Sequence, residues 1–289
     1  MQRFKFSDLL GYEEKIKQAF SFYGVNYHDL NRIHQYFVYL NEIEAARNTS
    51  KVTFHDLIEK NKVKYYFSLF YTLEFKNIIE AILKSNQDKD LVKTKLSDLI
   101  KGTYLLSEET LENTKSRNTA FELGLFHYFQ RKNLQSRLGN PNPDIMLTTN
   151  NFIYNIECKR PFLFESLEKN IKKALKQLRK IHNKNAIPTI ALSLERIILG
   201  NDLILDTNDE KSALSFLDKT LYKFLQNNLP MIQKICGDEP CLILYCLSCL
   251  VGFKTDIPMA SATFITGNLY NFKEDLSKRI YEDLQILKP

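Results

Sequence analysis

The sequence predicts an α/β protein in which an all-helical N-terminal region precedes a domain built on a mixed α+β sheet. Two observations carry this. Up to about Lys101, long segments with few breakers place their apolar residues at a helical period. From Ser107 onward, short strand-like runs alternate with helical ones, the pattern of a sheet covered by helices. The 289 residues suit one large or two ordinary domains. The change of character divides them into 1–105 and 106–289.

In the first part, Leu30 to Ala46, Val63 to Leu83 and Asp90 to Ile100 are the predicted helices. The aromatics of the second, Tyr65, Tyr66, Phe67, Phe70, Tyr71 and Phe75, are expected to fill a helical core rather than stack bases. In the second part, Ser107 is a plausible N-cap, with Glu108 and Glu109 in the first turn where the helix dipole favours acids. That helix is expected to reach about Lys132. Strands follow at Leu134 to Leu138, Asp144 to Thr148 and Phe152 to Lys159, then a helix from about Leu163 to His182. Ile187 to Leu194 and Cys241 to Phe253 are further strands. Helices at about Ser212 to Asn227 and Phe272 to Leu284 complete the chain.

Composition excludes several classes. Hydrophobic residues make up 44%, too many for a disordered polymer. The longest near-uniform apolar run, Cys241 to Phe253, falls short of the ~20 residues of a spanning helix. The start, MQRFKFSDLLGYEEK, has charges where a secretion signal needs its apolar stretch, so a cytoplasmic setting with no membrane is expected. Five cysteines without such a signal argue for reduced thiols. Cys246 and Cys249 form a C-x-x-C, but no second pair or nearby His completes a zinc site. A buried strand carrying small thiols is the better account. The chain has no P-loop, and its histidines form no metal-spaced pair.

The informative stretch is PNPDIMLTTNNFIYNIECKRP, Pro141 to Pro161. Its two strand-like halves meet at Asn150 and Asn151, which tolerate the positive φ of a two-residue hairpin turn. Such a turn sets Asp144 directly opposite Glu157, with Cα atoms ~4.5–5.5 Å apart. A four-residue loop keeps the same face, and a three-residue loop breaks the alignment unless a bulge restores it. Lys159, two residues beyond Glu157, shares its face, and Cys158 is expected to point to the opposite, buried one. Two facing carboxylates repel unless a cation lies between them, and oxygen ligands of this kind suit Mg²⁺ or Mn²⁺.

Pro143-Asp144, followed by Glu157-Cys158-Lys159, resembles the PD-(D/E)XK nuclease signature. The order of elements from Ser107 to about Leu194 is similar to the restriction-endonuclease-like core: helix, three strands, helix, strand. The resemblance implies that Asp144, Glu157 and the Cys158 backbone carbonyl ligate Mg²⁺. It implies that Lys159 positions the attacking water or stabilises the transition state. Members often carry another acid on the first core helix, and Glu122 in NTAFELGLFHYF matches that place. Gln177 matches a polar position on the helix after the motif, although the Tyr some subfamilies keep four residues later is Ile181 here.

The helix after the motif points independently to a polyanionic partner. Leu167, Ile171, Ala174, Leu175, Leu178 and Ile181 form one apolar stripe, and lysines occupy the other face. Between Lys159 and Lys184 there are nine Lys or Arg and two acids, a local +7 in a chain whose total is +6. Arg160, Lys169, Lys172, Lys173, Lys176, Gln177 and Lys180 are the expected nucleic-acid contacts.

The expected function is a Mg²⁺-dependent hydrolase acting on nucleic acid, a DNA endonuclease in restriction, phage defence or repair. The N-terminal region would recognise substrate, support a homodimer or bind a partner protein. The rivals are an inactive nuclease-fold subunit that binds nucleic acid or docks a partner, and an RNA-cleaving toxin.

Overall fold

The computed structural model describes residues 6–49, 51–181, 185–200, 204–207, 209–253 and 260–287. Among these, no helix is long and apolar enough to cross a membrane. The chain separates into two compact units, one ending at Gly124 and the other beginning at Leu125. The division thus falls inside a helix, whereas the change of sequence character lies at 105/106.

The N-terminal unit contains α1 (Phe6–Leu10), α2 (Glu13–Phe22), α3 (Arg32–Thr49), α4 (Lys51–Lys60), α5 (Lys62–Lys84) and α6 (Lys89–Leu99). Asp88 caps α6, its carboxylate accepting the Leu91 N–H. The α5 aromatics pack inward: Tyr65, Phe67, Tyr71 and Phe75 are buried. The segment after α6 is pinned by buried side chains. Arg32 Nε and Nη2 donate to the Leu99 carbonyl, as does Ser116 Oγ. Arg117 Nη2 donates to the carbonyls of Thr103 and Tyr104.

The helix expected from Ser107 begins later, as α7 (Lys115–Arg131). Residues Leu106–Glu108 form only a 3₁₀ turn. Side chains compete with the helix here. Glu108 accepts the Leu105 N–H and Asn113 accepts the Thr110 N–H.

Beyond Leu125 lies a seven-stranded mixed sheet. Its strands are β1 (Gln135–Leu138), β2 (Ile145–Thr148), β3 (Ile153–Lys159), β4 (Ala186–Ser193), β5 (Ile204–Thr207), β6 (Cys241–Phe253) and β7 (Ala260–Tyr270). The order is β1-β2-β3-β4-β6-β5, with β7 also on β6. The first three strands form an antiparallel meander. β4 runs parallel to β3 and to β6, β5 runs parallel to β6, and β7 is antiparallel to it. β5 and β7 are additional to the strands expected.

The helices of this unit are α8 (Leu167–Leu178), α9 (Glu195–Ile198), α10 (Glu210–Cys236) and α11 (Glu274–Asp283). α8 is shorter than expected because Ser166 Oγ bonds the Leu163 carbonyl and holds a 3₁₀ turn at Phe164–Ser166. His182, the expected helix end, lies outside the described residues. α8 buries Leu167, Ile171, Ala174, Leu175 and Leu178 against Ile190, Leu192, Ile243 and Tyr245, beside Leu217 and Leu221 of α10. Each large side chain so buried contributes about 1.5–3 kcal/mol relative to exposure. Cys246 and Cys249 are buried in β6. Three apart on a strand, they point to opposite faces and form no joint ligand pair.

The β2–β3 hairpin has the expected register, with Ile145 opposite Ile156 and Thr148 opposite Ile153. Its turn works differently. Among the described residues, the positive-φ residues other than glycine are Asn133 and Asn271, so Asn150 and Asn151 do not take the left-handed conformation. Instead Thr149 closes the turn. Its N–H donates to the Phe152 carbonyl, and its Oγ1 accepts the N–H groups of Asn151 and Phe152. Asp283 of α11 clamps the same turn, accepting from Thr149 Oγ1, Asn151 Nδ2 and Tyr154 Oη.

Candidate active site

The hairpin register, extended one residue past the β2–β3 ladder, sets Asp144 against Glu157. Asp144 stands just before β2, and the loop leading to it is tight. The Gly139 N–H donates to the Asp144 carbonyl at 3.0 Å. A Cβ at Gly139 would lie 1.8 Å from the Pro143 carbonyl oxygen, so only glycine lets the chain close there.

Three oxygens converge on one ammonium group. Lys159 Nζ donates to Glu157 Oε2 at 3.0 Å and to the Cys158 carbonyl at 3.1 Å. Asp144 Oδ2 lies 3.9 Å from the same nitrogen. Asp144 Oδ2 also accepts the Cys158 backbone N–H at 2.7 Å. The structure therefore brings Asp144, Glu157, Lys159 and the Cys158 carbonyl together.

Burial differs from expectation. Glu157 is completely buried, while Cys158 is only half-buried. The face carrying Glu157 and Lys159 continues through Ile190 and Leu192 of β4, the face that α8 covers. A buried carboxylate loses several kcal/mol of hydration and persists only when its oxygens are satisfied. Lys159 serves Oε2. The other oxygen is served by Asn142, a residue that no sequence motif singled out. A carboxylate can only accept, so the Asn142 amide turns its nitrogen toward it. Nδ2 then donates to Glu157 Oε1 at 3.0 Å and to the Pro141 carbonyl at 3.1 Å. The Gln177 amide on α8 lies 3.0 Å from the Asn142 amide. The only sequence signal for Asn142 is its place two residues before Asp144.

Glu122 falls in the N-terminal unit. There it is buried, and its Oε1 and Oε2 lie 2.6 and 2.8 Å from Lys95 Nζ. Among the described residues, no three His, Cys, Asp or Glu side chains are grouped to hold a metal ion. The donor set at the hairpin is two carboxylates and one carbonyl. Its oxygen-only chemistry, already gathered round a cation, fits a hard divalent ion.

No family model, curated protein or solved structure matches this chain.

The basic helix is solvent-facing as expected. Lys169, Lys172, Lys173, Lys176 and Lys180 are exposed, and Arg160 and Gln177 are half-buried. Lys172 pairs with Glu168 Oε1 at 2.5 Å, and Arg179 pairs with Glu239. At the end of β4, Ser193 Oγ donates to Glu195. Burial raises the Glu195 carboxyl above the ordinary carboxylate value, while Ser193, Arg160 and Ser248 oppose the rise.

Proposed function

We propose that this protein is a Mg²⁺- or Mn²⁺-dependent nuclease that hydrolyses phosphodiester bonds, a DNA endonuclease serving restriction, phage defence or repair. The observation that carries the reading is the convergence of Asp144 Oδ2, Glu157 Oε2 and the Cys158 carbonyl on Lys159 Nζ. The order α7-β1-β2-β3-α8-β4, with β4 parallel to β3, supports it as the order the PD-(D/E)XK resemblance implies.

In this reading Asp144, Glu157 and the Cys158 carbonyl would hold the divalent ion. A bound ion activates water and offsets charge on a phosphoryl oxygen. Lys159 supplies an ammonium donor beside the carboxylates, able to orient the attacking water or stabilise the charge that builds on phosphate. The Glu157 carboxylate, shielded from water, acts more strongly on its partners than an exposed one. Lysines of α8 then hold the substrate backbone through its phosphates.

One observation favours a second reading, an inactive subunit that binds nucleic acid or docks a partner. The Lys159 ammonium already neutralises Glu157, so the cluster is satisfied without a metal. The test is cleavage of DNA and RNA with Mg²⁺ or Mn²⁺ by the wild type, Asp144→Ala and Lys159→Ala. Cleavage by the wild type alone supports the enzyme. Absence of any metal-dependent cleavage, with DNA binding retained, supports the subunit.

A further inference from the structure

Asn142 lies outside the acidic motif yet makes the contact to Glu157 that Lys159 does not. Its Nδ2 donates to Oε1 at 3.0 Å, opposite the oxygen bonded to Lys159. The two donors grip the two oxygens of a completely buried carboxylate and so fix the plane of its head group. Asn142 is held in turn. One Nδ2 hydrogen goes to Glu157, and the second is shared between the Pro141 carbonyl at 3.1 Å and the Gln177 amide of α8 at 3.0 Å, which turns its oxygen inward to accept. Gln177 sits between Ala174, Leu175 and Leu178, which lock α8 onto the sheet. The link therefore runs from a packed helix, through two amides, to one carboxylate oxygen.

We propose that Asn142 is a positioning residue that keeps Glu157 Oε2 turned toward Asp144 and Lys159, with Gln177 as its brace. This deepens the metal-dependent reading above and rests on it. Groups that orient a ligating carboxylate change metal affinity without touching the metal, typically 10- to 100-fold. Removing Asn142 leaves both carboxylates and the lysine in place but frees one oxygen to turn.

The test is Mn²⁺ titration of the full chain, followed by electron paramagnetic resonance, for the wild type, Asp144→Ala, Asn142→Ala and Gln177→Ala. Thermal unfolding of each variant checks that it folds. Asn142→Ala is expected to weaken Mn²⁺ binding about tenfold. Gln177→Ala, which leaves the contact to Glu157 in place, is expected to weaken it less. In cleavage assays Asn142→Ala needs more Mn²⁺ but recovers the wild-type rate at saturation, which a merely misfolded site would not do. Wild-type Mn²⁺ affinity in folded Asn142→Ala, with binding lost in Asp144→Ala, overturns the role of Asn142 alone. Equal binding by the wild type and Asp144→Ala overturns the metal site itself, and this proposal with it.

Discussion

Asp144 and Cys158 are joined by a hydrogen bond of 2.7 Å from the Cys158 backbone N–H to Asp144 Oδ2. One carboxylate thus fastens the end of the hairpin and faces Lys159. The two roles are separable by substitution. Asp144→Asn keeps an acceptor oxygen for the N–H but loses the charge, and Asp144→Ala loses both. Both are expected to lower metal-dependent cleavage by at least about 100-fold. Only the alanine variant should lose stability as well, by about 1–2 kcal/mol in urea unfolding. An Asp144→Asn protein cutting at the wild-type rate would remove Asp144 from the site.

Lys159 is the cation that compensates the buried Glu157. Lys159→Met keeps much of the apolar stem and leaves the carboxylate without its ammonium. Breaking a buried pair from one side costs about 3–5 kcal/mol. Denaturant unfolding without metal should show a loss of that order. Added Mn²⁺ should restore more stability to Lys159→Met than to the wild type, because a divalent ion can take over the compensation. Equal stability of the two proteins without metal would mean that Lys159 does not serve this purpose.

The lysines of α8 are not equivalent. Lys169, Lys173 and Lys176 follow spacings of four and three along one side of the helix, whereas Lys172 pairs with Glu168. Replacing Lys173 or Lys176 by Glu should weaken DNA binding regardless of sequence. Each replacement should reduce the slope of log affinity against log salt by about 1. Lys172→Ala should change that slope least. Identical slopes for all variants would place the DNA elsewhere.

Glu195 should make stability fall as pH rises. Burial raises its carboxyl in the folded protein above the ordinary value. The folded state therefore keeps a proton that the unfolded chain has already released. Stability is lost from the ordinary carboxylate pKa upward, until Glu195 ionises in the folded state as well. Glu195→Gln should flatten the decline in thermal midpoint across that window. An unchanged pH profile in Glu195→Gln would show that its burial has no linkage to folding.

Much of the fold was legible because it follows from short-range chemistry. The apolar stripe of α8 follows from residue spacing and is buried residue for residue through Leu178. The register opposing Ile145 to Ile156 follows from the position of the turn. Even there, the mechanism differed, since Thr149 and not a left-handed Asn pair closes the turn. α7 starts later than the acids after Ser107 suggest: Glu108 caps only a 3₁₀ turn, and Asn113 then takes the Thr110 N–H outside any helix. β7 was missed although Ala260–Tyr270 pairs along β6 from Val251 to Cys241. Its residues carry little apolar alternation of their own, and its place is set by pairing with β6, the strand just before it.

Residue order alone was enough to put Asp144, Glu157 and Lys159 on one face, because strand periodicity is local. It was also enough to gather the positive charge on one helix. Tertiary packing decided which group is sealed from water. It sealed Glu157 completely under the face that α8 covers and left Cys158 half-buried, although Tyr154 and Ile156 on the Cys158 face are buried as well. Packing also recruited Asn142 and Gln177, 35 positions apart, to the site. A buried carboxylate needs donors on both oxygens, and the fold supplies the second from wherever the chain passes within 3.0 Å.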